Sequence, residues 1–250
     1  MRTVVITGGT RGIGGALAAR LRRRGDRVVA LGSADADLSS PRQTVELAER
    51  LPGRIDVLVL AAGRFDQRRV VTADGLEQSF AISVLSRHLL VERLVPRMRG
   101  GTVLSLCGVG GLPFGRLNWD DLQLERRYSL TRATMQGARA LDLLGAGFAD
   151  RHPDRDVRYV LWNPLLVDSG MHRYLRQPWR TVVGRTAALL GEKPGAAAER
   201  LERLLDRPLP AGLTAFRRGR PVPVDGPGFD PGSARRLAER LDRAGAEHWG

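Results

Sequence analysis

Short unbroken apolar runs alternate along this chain with longer stretches in which apolar positions recur every three or four residues. The runs are Arg2–Thr7, centred on Thr3–Ile6, then Arg27–Leu31, Val57–Ala61, Gly101–Leu106, Val157–Trp162 and Thr214–Phe216. A run such as Val57-Leu58-Val59-Leu60-Ala61 lacks the apolar–polar alternation of a half-exposed strand. It therefore predicts a strand buried on both faces. The periodic stretches predict helices at Ile13–Arg24, Arg42–Leu51, Gly75–Arg97, Ser129–Ala149, Pro194–Leu205 and Pro231–Ala244. Gly53, Gly100, Gly101 and Pro153 mark boundaries between them. Strands and helices that alternate in this way predict βαβ units and a parallel sheet. One edge breaks the rhythm. Arg27–Leu31 is followed almost at once by Ala36–Leu38, which leaves no room for a crossover of about ten residues. That edge of the sheet is predicted to be trimmed.

Length and composition narrow the picture without changing it. A chain of 250 residues with 42% hydrophobic residues fits one α/β domain, residues 1–250. A nucleotide-binding half is predicted over about 1–110 and a substrate-side half over about 111–250. No apolar run reaches the length of a membrane span, and Met1-Arg2-Thr3-Val4-Val5 enters a strand directly, without a leader pattern. The lone Cys107 excludes an internal disulfide and fits a cytoplasmic setting. The net charge of +13 raises the question of nucleic acid. Its arginines are scattered through helices rather than gathered beside aromatics, and Lys193 is the only lysine, so the charge reads as coding bias. No nucleic-acid or membrane partner is expected.

The first turn carries chemistry. In Val4-Val5-Ile6-Thr7-Gly8-Gly9-Thr10-Arg11-Gly12-Ile13-Gly14 the glycines follow a strand and open a helix. Gly8 permits the tight turn, Gly12 lets the backbone approach a pyrophosphate, and Gly14 allows close helix–strand packing. The helix N-terminus then presents free amides to phosphate. This is a Rossmann-type unit, and it makes the predicted fold a doubly wound parallel sheet with helices on both faces.

These residues resemble the short-chain dehydrogenase/reductase family, whose TGxxxGIG turn they match in full. Asp37-Leu38 looks like the family's adenine contact, and Ala61-Ala62-Gly63 like its NNAG turn without the asparagines. Asn118-Trp119-Asp120-Asp121-Leu122 and the tail from Pro221 to Pro231 resemble its retinol-dehydrogenase-like branch. The resemblance implies a dinucleotide held by Gly8, Thr10, Arg11, Gly12, Ile13, Gly14, Ser33, Asp37, Leu38, Ala61, Ala62, Gly63 and Ser169. It implies NADP(H) over NAD(H), because Arg11 can pair with a 2′-phosphate and no acid ends the second strand at Leu31-Gly32-Ser33. It also implies a homodimer or homotetramer built through the long helices.

The family's Ser–Tyr–Lys set and assisting Asn do not reappear. The serine position reads Gly108 and the asparagine position Ser83. Tyr128 and Arg132 resemble Tyr-x-x-x-Lys with Arg for Lys. Yet both the spacing to Pro164 and the Asp120-Asp121-Leu122 anchor place the pair at Thr134 and Ala138. Tyr128/Arg132 would require a slipped helix or an insertion. Leu165 stands where the family has Gly. Cys107 borders the expected pocket, as a nucleophile or a buried apolar residue. Asp168, His172 and Tyr174 fall in the segment that forms the family's lid and are further acid/base candidates. His88 and the pair Asp120/Asp121 read as structural. Trp119, Trp162 and Trp179 line a pocket or fill the core. No metal-ligand spacing is present. Three functions follow: an NADP(H)-dependent oxidoreductase acting on a small carbonyl, alcohol or natural-product intermediate; a non-redox cyclase, isomerase or dehydratase on the same scaffold; or a cofactor-binding protein without turnover.

Overall fold

The computed structural model describes residues 1–107, 116–165, 167 and 176–249. The chain runs β1 (Thr3–Thr7), α1 (Gly12–Arg23), β2 (Arg27–Leu31), α2 (Pro41–Arg50), β3 (Val57–Leu60) and α3 (Gln78–Phe80). A π-turn (Ala81–Leu85) leads into α4 (Ser86–Leu94) and β4 (Thr102–Leu106). Then come α5 (Leu130–Ala146), α6 (Phe148–Arg151), β5 (Arg158–Asn163), α7 (Trp179–Leu190) and α8 (Pro194–Leu205). The strands β6 (Gly212–Arg217) and β7 (Arg220–Val222) and the helix α9 (Pro231–Trp249) complete it.

The seven strands form one sheet in the order β2-β1-β3-β4-β5-β6-β7, parallel except for β7. The fold is a single Rossmann-type α/β domain. As the spacing after Arg27–Leu31 predicts, β2 is the outer strand. The all-apolar strands have the burial their composition demands. Val57 and Val59 of β3 pack on one face of the sheet with α1 and α8, while Leu58 and Leu60 pack on the other with α4. Leu17 and Leu21 of α1 are fully buried, each contributing about 1.5–3 kcal/mol.

Three local features depart from the periodicity. The stretch Gly75–Arg97 is not one helix. Glu77 caps α3 with its carboxylate, accepting from the amides of Ser79 at 2.9 Å and Phe80 at 2.7 Å. The following residues then widen into the π-turn before α4 begins. Strand β7 and helix α7 have no counterpart among the predicted elements. Helix α9 is longer than predicted and lies across α5, α2 and α4. Its Leu237 and Leu241 pack with Leu89, Ala140 and Leu143. His88 Nε2 and Asp242 Oδ1, 2.7 Å apart, tie α4 to α9. Helix α4 is closed over by α2 and the sheet as well as by α9, and seven of its nine residues are buried.

Candidate functional site

The chain order reverses at β1, which pairs with β2 on one side and β3 on the other. A crevice at such a switch point is where open α/β sheets bind ligands. Here it is a cleft of about 1200 Å³ lined from β1, β2, β3, β4 and β5. A single small-ligand site takes roughly 300–1,000 Å³, and this cleft is larger than that.

One end is built by backbone. Gly8 has φ +68°, and a Cβ there would come within 2.8 Å of the Ala62 amide. A Cβ on Gly14 would overlap the Gly8 carbonyl oxygen. The turn is thus pressed against the end of β3 and against the start of α1. No side chain caps α1: Arg11 holds the N-cap position with extended backbone and makes no capping bond. The first-turn amides of a 12-residue helix are left for an anion, with the positive end of the helix dipole behind them. Gly8, Thr10, Arg11, Gly12, Ile13, Gly14, Ser33, Asp37, Leu38, Ala61, Ala62 and Gly63 all line the cleft. Asp37 holds its own turn, accepting from the Ser39 amide at 2.9 Å and hydroxyl at 2.7 Å. Asp35, just beyond β2, accepts with its carboxylate from the Gly32 amide at 2.7 Å. An acid is therefore present beyond β2, even though none ends the strand itself.

The other end holds the positions where the resemblance looks for catalysis. Ser83 sits in the π-turn and lines the cleft, its Oγ buried and without a partner. Thr134 and Ala138 line the same cleft from α5, and Cys107 lines it from the end of β4. The structure places Tyr128 and Arg132 elsewhere. Tyr128 precedes α5, and its hydroxyl donates to the Asp66 carbonyl at 2.8 Å. Arg132 is exposed, and its guanidinium donates to the Arg127 carbonyl at 3.1 Å. Neither is among the described residues that line the cleft. The reason is the start of α5 at Leu130, capped by the Ser129 hydroxyl, which leaves Tyr128 in the preceding loop. Gly108, Asp168, Ser169, His172 and Tyr174 lie outside the described residues. Asp121 accepts from the amides of Glu125 and Arg126 and shapes its own loop. Trp162 is core, Trp179 is 58% exposed, and Trp119 packs under the Arg236 guanidinium.

Two further residues shape this end. Arg87 of α4 lines the cleft although it is buried. Nothing in the sequence signals it, since α4 also carries His88, Glu92 and Arg93. Leu165, in the position of the family's Gly, takes φ +58°, a backbone conformation that favours glycine. Its amide donates to Asn163 Oδ1 at 2.8 Å, and its half-exposed side chain lines the cleft. The left-handed conformation costs a non-glycine residue about 1–2 kcal/mol, and glycine's extra unfolded-state entropy offsets roughly 0.5–1 of this. Leu165→Gly is therefore expected to leave thermal stability unchanged or raise it slightly. A calorimetric melt checks this, and a clear drop in Tm would contradict it.

The residues present fit a dinucleotide. The phosphate end is an uncapped helix terminus beside glycines that tolerate no Cβ, and the far end carries the orphaned Ser83 hydroxyl. Among the described residues no cluster of side chains could hold a metal, and no helix is long and apolar enough to cross a membrane.

No family model matches the chain. Individual proteins do. A Streptomyces sp. (strain C5) protein provisionally named daunorubicin C-13 ketoreductase DnrU is 32% identical over 95% of this chain and 90% of its own length. Dehydrogenase/reductase SDR family member 12 of Homo sapiens is 30% identical over 61% of this chain, which spans only 57% of that protein. Among solved structures, the 3-alpha-hydroxysteroid dehydrogenase of Pseudomonas sp. B-0831, determined with NADH, superposes with a TM-score of 0.68. It is 20% identical, over 87% of this chain and 96% of that one. With its fold, its glycine turn and a relative similar along nearly its whole length, the chain belongs to the short-chain dehydrogenase/reductase family of oxidoreductases.

Proposed function

We propose that this protein is an NADP(H)-dependent reductase for a ketone carried on a bulky, natural-product-like skeleton, working without the family's usual proton-transfer set. The observation that carries the reading is convergence. The glycine turn, Asp37-Leu38 and Ala61–Gly63 open onto the same cleft as Ser83, Thr134 and Cys107. The bound cofactor would supply hydride to the carbonyl carbon. The Ser83 and Thr134 hydroxyls orient the carbonyl oxygen, and Thr134 relays to it a proton drawn from water. Phe65, Phe80, Leu122, Leu124, Leu165 and Val183 give the cleft apolar walls suited to a large skeleton. The name of the Streptomyces relative points the same way.

The preference for NADP(H) rests on Arg11, exposed at the rim where α1 begins. Asp35 opposes it, held at Gly32. Arg11→Ala is expected to weaken NADPH binding about tenfold, the size of one charge-assisted contact, with little change for NADH. An equal effect on both cofactors would contradict the assignment.

The test of the reaction is loss of NADPH absorbance across a ketone panel. Polycyclic aryl ketones are expected to be reduced with kcat/KM at least tenfold above small aliphatic ones. Thr134 and Ala138, at the cleft wall, also favour a second reading: a non-redox reaction on the same scaffold. Turnover that survives complete removal of nicotinamide would select it. On assembly, α4 is covered within the chain by α2, α9 and the sheet, and this cover supports a monomer rather than a homodimer or homotetramer built on the long helices.

A further inference from the structure

Among the described residues no carboxylate pairs with the Arg87 guanidinium; Tyr159 and Cys107 are the titratable groups that act on it. Its side chain is buried at the wall of the cleft. Nη1 donates to Ser105 Oγ at 2.8 Å and to the Leu106 carbonyl at 2.5 Å, and Nη2 donates to the Ala62 carbonyl at 2.8 Å. These partners, at and beside the ends of β3 and β4, are all neutral. Nε is buried with no hydrogen-bond partner among the described residues. The Glu77 carboxylate, elsewhere in the cleft wall, is committed to the amides of Ser79 and Phe80. Tyr159 lies beside the guanidinium, but burial pushes its phenol up to about 12, so it stays neutral. Burial also pulls Arg87 below its ordinary pKa. A guanidinium nevertheless remains protonated at any working pH.

Tying β3 to β4 explains the hydrogen bonds and leaves the charge unexplained. Buried charges are normally paired, because an unpaired one is costly to desolvate. A cation kept under those terms acts on what occupies the cleft. The two redox forms of a nicotinamide cofactor differ there by one charge: the oxidised ring is cationic and the reduced ring is neutral. Their phosphates are the same, so every attraction to phosphate cancels in the ratio of their affinities.

We infer that Arg87 makes the cleft select the reduced cofactor, because its fixed positive charge repels the oxidised nicotinamide ring and spares the neutral one. The inference rests on the cofactor proposed above. It makes Arg87 a specificity-determining residue for redox state, which favours reduction and the departure of spent cofactor.

Equilibrium titrations of NADPH and NADP+ into the wild-type chain, Arg87→Lys and Arg87→Gln test it, with no turnover required. The wild type is expected to bind NADPH more tightly by on the order of tenfold, the repulsion of two unit charges about 10 Å apart at an effective dielectric near 20. Arg87→Lys keeps the charge and should keep most of that ratio. Arg87→Gln keeps hydrogen-bonding capacity and should bring the ratio near unity, through tighter NADP+ binding. An unchanged ratio in Arg87→Gln overturns the inference while leaving the cofactor site intact. Should Arg87→Gln fail to fold, the wild-type ratio decides, and near-equal affinities overturn it. If neither form binds any folded variant, the nicotinamide reading itself falls.

Discussion

Gly14→Val is expected to lower NADPH affinity by on the order of 100-fold or more. Even a single Cβ at residue 14 would collide with the Gly8 carbonyl oxygen. The first turn of α1 must then move off the glycine turn, and its amides lose their aim at the phosphates. Two charge-assisted hydrogen bonds at about 1.5–3 kcal/mol each account for the loss. The control is Gly53→Ala, where a Cβ meets nothing within 4 Å. It should change neither binding nor melting temperature. Isothermal titration, with circular dichroism to establish that the variant folds, checks both. Wild-type affinity in folded Gly14→Val would show that the turn does not hold the cofactor.

A second large effect is expected at α9. Leu237 and Leu241 are almost wholly buried against α4 and α5. Truncating a buried leucine to alanine costs about 2–5 kcal/mol. Leu237→Ala should therefore lower the unfolding free energy by that amount in a denaturant titration. Removing α9 altogether would uncover Leu89, Ala140 and Leu143 together. An apolar patch of that kind drives association. The intact chain is expected to run as a monomer by light scattering, and a chain ending before Pro231 to self-associate. A dimer of the intact chain with α9 in place would contradict the proposed assembly.

The strands were legible because they are buried on both faces. Val4-Val5-Ile6 and Val57–Leu60 have no polar residue to mislead. Strand β7 was not legible: it is three residues long with Pro221 at its centre, and it survives only as an antiparallel edge. Helix α7 mixes β-branched Thr and Val with Gly184, which weakens any helical signal. The π-turn at Ala81–Leu85 follows a hydrogen-bonding pattern that apolar spacing does not encode.

The site divides the same way. The glycine turn is local in sequence, so its strand–turn–helix context could be read directly. Around Tyr128 a four-residue spacing mimics a catalytic pair. The spacing to Pro164 points past it, and the start of α5 after Ser129 leaves the tyrosine in the loop, donating to the Asp66 carbonyl. Arg87 resembles any helical arginine until β3 and β4 close over it, because its partners are 18 to 25 residues away. Leu165 was conspicuous as a substitution for glycine. Its positive φ shows that the backbone kept the glycine conformation and accepted the strain.

We propose that the cleft holds a nicotinamide dinucleotide by its backbone and presents no tyrosine from α5 at its reactive end. A crystal structure of the protein with NADPH tests it most directly. The pyrophosphate is expected on the amides of Gly12–Gly14, with the nicotinamide C4 facing a space bounded by Ser83, Thr134 and Leu165. A pyrophosphate bound elsewhere, or the Tyr128 hydroxyl turned from Asp66 to the nicotinamide, would contradict it.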